Sequence, residues 1–204
     1  MTNLPNVLKE TCNSTNQISL DTALFRERKI FLTDPLDTDT CAALFKQLLC
    51  LESADSGKEI TLFINSPGGE VLPTLAVYHH LRGSECPVRT VIIGRAASAA
   101  ALLFLAGDKR EMYRDSEFMV HSAMNAQSGY ENPFEASERL ERLLETNEVI
   151  CRIISERTGK PEETVREWMK KDTFFKPGEA LEAGAATAVI GSTSSDGRPE
   201  GGAL

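Results

Sequence analysis

Three polar residues stand where the surrounding sequence gives them chemical leverage: Ser98, His121 and Asp172. Ser98 interrupts an alanine-rich apolar run, residues 96–106, that follows the strand-like segment 88–93. A serine in such a run is ordinarily a packing residue whose hydroxyl bonds back to a helix carbonyl. At the first turn of a helix, however, unpaired backbone amides and the helix dipole favour developing negative charge, which suits a nucleophile. The flanking alanines leave room for a substrate backbone, as in a nucleophile elbow, although the Gly-x-Ser-x-Gly pattern is absent. His121 closes the apolar run 117–121 and is one of only three histidines, so it is either a satisfied core residue or a general base. Asp172 precedes Thr173, Phe174 and Phe175, a position where most aspartates serve a loop or a cap. Gly68 and Gly69 follow another strand-like run, 60–65, and suit either a tight turn or a pair of exposed amides. Each of these features is weak singly, and the packing, core, loop and turn readings account for them one by one.

The elements that must position these groups follow from apolar periodicity. Segments 29–33, 60–65, 88–93, 110–113, 117–121 and 187–190 predict strands, and 37–51, 72–81, 161–169 and 177–181 predict helices, Thr38 or Asp39 capping the first. Strands alternating with helices imply a parallel sheet in an α/β domain. Asn132, Pro133 and Glu135 form a strong helix start, and the helix runs to Thr158 and Gly159. Along it Ala136, Leu140, Leu143, Asn147, Ile150 and Ile154 make a narrow stripe that needs a partner. Residues 1–23 are expected as a flexible arm, 24–191 as the folded domain, and 192–204 as a disordered Gly/Ser tail.

Composition narrows the classes further. The chain has 204 residues, enough for one well-buried domain, with 41% hydrophobic and 25% charged residues. A formal charge of −8 argues against a nucleic-acid partner, which requires a basic patch. Cys12, Cys41, Cys50, Cys86 and Cys151 are odd in number and dispersed, as reduced thiols of a cytoplasmic protein are, and they make no ligand-spaced cluster with His79, His80 or His121, so no metal is expected. The longest apolar run reaches only about half of the roughly 20 residues that cross a bilayer, and residues 1–20 lack the apolar core of a signal peptide.

Taken in order, Arg28-Lys29-Ile30-Phe31-Leu32-Thr33, Ile64-Asn65-Ser66-Pro67-Gly68-Gly69, Gly94-Arg95-Ala96-Ala97-Ser98, Phe118-Met119-Val120-His121, Glu156-Arg157-Thr158-Gly159 and Asp172-Thr173-Phe174-Phe175 resemble the proteolytic subunit of the Clp protease family over residues 24–190. The resemblance implies a crotonase-like fold of repeated strand-strand-helix units, a globular head bearing a long handle helix, the handle spanning about 122–158. It implies a serine endopeptidase in which Ser98 is nucleophile, His121 general base and acid, Asp172 the orienting carboxylate, and the Gly69 and Ala99 amides the oxyanion hole. It further implies two stacked heptameric rings joined through their handles, an unfoldase ATPase that uses the ATP and feeds unfolded polypeptide inward, no cofactor in this subunit, and a docking aromatic at Phe63. Core packing accounts for Phe63 equally well.

The chain also departs from the family pattern. Ala99-Ala100 replaces Met-Gly after the serine, Ser122-Ala123 replaces Gln-Pro after the histidine, and residues 124–131 are about two residues longer than usual, only Gly129 and Tyr130 resembling the family's glycine-rich strand. Loss of the proline is expected to free the segment after His121. These changes sustain a competing reading, a noncatalytic or specialised paralogue that co-assembles with an active subunit; retention of all three polar residues weighs against it. An acyl-CoA enzyme of the crotonase type would need acidic catalytic groups instead, and a membrane-bound Ser-Lys peptidase would need a spanning helix.

Overall fold

The computed structural model describes residues 6–11, 14–124 and 132–191. Strands β1 (Asn6–Thr11) and β2 (Ser14–Ser19) pair antiparallel, and helix α1 (Leu20–Arg26) starts from Ser19, whose hydroxyl accepts the Thr22 N–H. Residues expected as a loose arm therefore carry a hairpin and a helical turn; this polar stretch, rich in Asn, Thr and Ser, has no apolar pattern to announce them.

The main sheet begins with β3 (Lys29–Leu32), followed by α2 (Thr38–Ala54), β4 (Ile60–Ser66), α3 (Val71–Gly83), β5 (Val88–Ala97), α4 (Ala99–Ala106) and β6 (Lys109–Tyr113). Next come β7 (Glu117–Val120), α5 (Pro133–Thr158), α6 (Glu162–Met169), β8 (Thr173–Phe175), α7 (Pro177–Glu182) and β9 (Ala188–Ile190). The order β3-β4-β5-β6-β9 is parallel throughout, β7 pairs parallel with β5, and β8 pairs antiparallel with β7. The α/β class with a largely parallel sheet is as expected. Asp37, rather than Thr38 or Asp39, caps α2, its carboxylate accepting the Thr40 N–H at 2.7 Å, and this bond holds the Asp37 carboxyl below its usual pKa.

Three departures from the expected elements position the site. β5 does not stop at Gly94 but continues to Ala97, exchanging its partner β6 for β7 from Arg95 onward. A Cβ on Gly94 would lie 2.4 Å from Asn65 Oδ1, the atom that accepts the Arg95 N–H, so glycine lets the strand bend past Asn65 without ending. Accordingly α4 starts at Ala99, with Ser98 outside it as the N-cap residue. All eight residues of α4 are buried, which anchors the turn before it.

The third departure concerns α5. Asn132 forms the expected capping box with Glu135, and Gly159 ends the helix in the left-handed region. Its stripe, however, divides: Ile150 and Ile154 are buried in the chain's own core, with Cys151 and Ile153 beside them, whereas Leu140 is exposed, as is Leu144 beside the stripe. Among the described residues, Leu140 is the exposed member of the stripe, while Leu143 is half-buried beside Val71 and Leu72. Arg157, near the C-terminal end, donates to Leu105 O and Gly107 O at 2.7 Å each, tying the handle to the end of α4. Among the described residues no helix is long and apolar enough to cross a membrane.

Candidate active site

Ser98, His121 and Asp172 lie at the ends of adjacent strands, and strand register brings them together. Ala97 is the register partner of Met119 in the β5–β7 pair, and the Ser98 N–H extends that ladder by donating to Met119 O at 3.0 Å. In the antiparallel β7–β8 pair Val120 faces Thr173, so the next step along each strand sets His121 beside Asp172. His121 Nδ1 lies 2.9 Å from Asp172 Oδ1, and Nε2 lies 2.8 Å from Ser98 Oγ. A carboxylate only accepts, so Nδ1 carries the imidazole proton and Nε2 accepts from the Ser98 hydroxyl. The histidine side chain is 14% exposed and the aspartate 62%, so the carboxylate works from the solvent side of the ring.

Ser98 adopts φ 55° and ψ −124°. For a residue with a Cβ such backbone costs about 1–3 kcal/mol. The buried side chains Leu102, Leu103, Phe104 and Leu105 on the following helix, each contributing roughly 1.5–3 kcal/mol, outweigh that cost. The turn is thus a strained strand-to-helix elbow built from alanines instead of the usual glycines.

Gly68 and Gly69 form the opposite wall. Both have positive φ, 91° and 156°. A Cβ on Gly68 would meet Ala97 O at 2.4 Å and Ala99 N at 2.9 Å; one on Gly69 would meet Leu36 O at 2.0 Å. Leu36 N–H donates to Gly68 O and Leu36 O accepts from Glu70 N–H, a parallel bridge that turns the intervening Gly69 N–H away from Leu36. Ser66 steadies the turn, its hydroxyl donating to Asp34 O at 2.7 Å and accepting the Gly68 N–H at 3.2 Å.

A small cavity beside Ser98 is lined by Val71, Ala99, Leu102, Val120, His121, Ala123, Ile150 and Ile154. Its volume of about 10 Å³ is room for roughly one water. It adjoins a wider groove lined by Glu70, Val71, Leu72, Pro73, Ala123, Met124 and residues of α5, about 390 Å³ in volume.

The sequence model of the family described as Clp protease matches residues 13–193. The chain belongs to that family. Its similarity to the ATP-dependent Clp protease proteolytic subunit 1 of Prochlorococcus marinus (strain MIT 9312) is 34% identity over 189 residues, covering 92% of this chain and 96% of the relative.

Two residues beside the site, Ser122 and Asn147, make contacts that the sequence does not announce. Ser122 donates through N–H and through Oγ to Met169 O, at 2.9 and 2.8 Å. Asn147 Oδ1 accepts the Ala123 N–H at 2.7 Å. The segment expected to be freed by loss of the proline is therefore held at both of its first two residues. The signal was Asn147 itself, the polar member of an otherwise apolar stripe. The remainder of that segment, residues 125–131 with Gly129 and Tyr130, lies outside the described residues, as do Cys12 and the tail 192–204. Phe63 stacks on Phe31 with ring centroids 4.8 Å apart, and Phe31 is half exposed, so this pair forms an aromatic surface on the β3–β4 edge of the sheet.

Proposed function

We propose that this member of the Clp protease family is a serine endopeptidase, the proteolytic subunit of an ATP-dependent protease, with Ser98, His121 and Asp172 acting as its triad. The observation that carries the reading is the continuous chain of contacts from Asp172 through His121 to Ser98 at 2.9 and 2.8 Å. In the first half-reaction Ser98 Oγ attacks the scissile carbonyl carbon while His121 Nε2 takes the hydroxyl proton. The oxyanion so formed accepts from the Gly69 and Ala99 amides, the latter at the start of a helix whose dipole favours negative charge. Collapse expels the amine, which leaves with the proton from Nε2, and an acyl-serine remains. Water then attacks the ester, giving its proton to Nε2, and the second collapse returns that proton to Ser98 Oγ and releases the carboxyl product. Asp172 keeps the ring in the required tautomer and stabilises its charged form.

The wider assembly follows the family pattern: a cytoplasmic homo- or hetero-oligomer of stacked heptameric rings, fed with unfolded polypeptide by a Clp-type unfoldase ATPase that uses the ATP. The exposed Phe134, Leu140 and Leu144 at the N-terminal end of the handle support an interface there. Labelling with a fluorophosphonate, followed by mass spectrometry of the modified peptide, tests the chemistry. Modification of Ser98 that disappears in His121→Ala is the expected result. Absence of labelling in the assembled particle would favour the second reading, a noncatalytic partner subunit, which rests on Ala99-Ala100 and Ser122-Ala123 at the site.

A further inference from the structure

We propose that Asn147 is a positioning residue, which fixes the backbone after His121 in place of the proline that this family usually carries at position 123. The inference rests on the reading of Ser98, His121 and Asp172 as a serine peptidase site.

Proline at that position does two things that alanine does not: it fixes φ, and it presents no N–H. Ala123 thus carries both a freer backbone and a donor that must be satisfied where it borders the cavity beside Ser98 and His121. Asn147 answers both. Its Oδ1 accepts the Ala123 N–H at 2.7 Å, and its Nδ2 donates to Leu143 O at 3.0 Å, one turn back along α5, so the amide is oriented by its own helix before it reaches the segment. Ser122 completes the arrangement from the other side, with N–H and Oγ both directed to Met169 O. Met169 ends α6, three residues before Asp172. The two residues after the histidine are therefore strapped to the handle on one side and to the segment bearing the orienting carboxylate on the other. A backbone shift at residues 122–123 that carries the imidazole away from Ser98 Oγ requires this strap to yield, which makes the fraction of time the histidine is aligned depend on Asn147. Observed turnover scales with that fraction.

The test compares the parent with Asn147→Ala, Ala123→Pro and the double variant, all as assembled full-length protein below their melting transitions. A single hydrogen bond of ordinary strength shifts a local opening equilibrium by about two- to tenfold. Hydrogen exchange of a peptide spanning residues 121–124 should accelerate by about that factor in Asn147→Ala, a readout that needs no activity. Peptide hydrolysis should lose a similar factor in kcat with KM little changed, because the strap orients the base and does not bind the substrate. In the Ala123→Pro background the same asparagine change should cost less than about twofold, since no N–H remains to be held. Unchanged exchange in Asn147→Ala would overturn the proposal. So would an equal kcat loss in both backgrounds, which would assign Asn147 a purely structural part in α5. Failure of the peptidase reading is separable: it would appear as absent fluorophosphonate labelling of the parent, while the exchange comparison would still decide whether the strap exists.

Discussion

Gly68 is packed directly against Ser98, so closely that a Cβ on the glycine would stand 2.9 Å from the serine Cβ and 2.4 Å from Ala97 O. The strained elbow and the glycine turn are therefore one interlocked unit, and the turn cannot accept a side chain while the elbow stays in place. Gly68→Ala should displace the proposed oxyanion donors, whose individual loss typically costs about 10²–10³ in kcat. Peptide turnover by the purified variant, with sedimentation to verify assembly, measures this. Retention of a tenth of the parent rate would show that the two loops move independently.

The same elbow makes a prediction about stability. Ser98 at φ 55° occupies backbone that glycine enters without steric cost and alanine does not. Ser98→Gly and Ser98→Ala should both be inactive, but the glycine variant should be the more stable by about 1 kcal/mol, relief of strain exceeding the entropy that glycine adds to the unfolded chain. Thermal midpoints of the two variants at equal protein concentration decide it. An alanine variant as stable as the glycine variant would mean that the elbow is not strained.

Much of this site was legible in the sequence, and the parts that were not share a physical cause. Ser98, His121, Asp172 and the two glycines stood out because each lies within or beside an apolar run, and strand ends are where a parallel sheet exposes functional groups. What periodicity could not show was β5 running through Gly94, because a glycine after an apolar run reads as a terminus until the Asn65 side-chain Oδ1 beside it is known. Nor could it show that Ile150 and Ile154 face the chain's own core while Leu140 does not, since a stripe of constant spacing carries no mark of where the head ends. The hairpin β1–β2 was missed for the converse reason: its strands have little apolar alternation and are recognisable through backbone pairing. Asn147 is the polar member of the stripe, and its role emerges only beside the N–H that Ala123 carries and a proline would not.

The proposed triad should show a graded response. Ser98→Ala and His121→Ala remove the nucleophile and the base of one concerted unit, so each should lower kcat by the same several orders of magnitude and the double variant should be no worse. Asp172 is 62% exposed, and water can partly replace its carboxylate beside His121 Nδ1. Asp172→Ala, which leaves room for that water, should therefore lose about tenfold less activity than Ser98→Ala. Single-turnover acylation rates give the comparison free of product release. An aspartate variant as impaired as the serine variant would indicate that assembly buries this carboxylate.

The divided stripe of α5 separates assembly from folding. Leu140 and Leu144 are 56% and 58% exposed, on a helix whose first turn also presents Phe134 at 83% exposure. Ile150 and Ile154, one and more turns further on, are 6% and 1% exposed among the residues of the chain's own core. A charge introduced at the first pair meets water in the isolated subunit and meets apolar surface only where another subunit covers the handle, whereas a charge at Ile150 is buried in every state and costs several kcal/mol. Leu140→Glu with Leu144→Glu should consequently leave a folded subunit of normal thermal stability at low concentration while splitting the particle into single rings or smaller species. Ile150→Glu should instead yield unfolded or aggregated protein. Sedimentation velocity and circular dichroism distinguish the two outcomes. A double leucine variant that sediments like the parent would remove the handle's exposed half from the interface, and a folded, dissociated Ile150→Glu variant would place the boundary between head and interface nearer the C-terminal end of α5 than the burial of Ile150 implies.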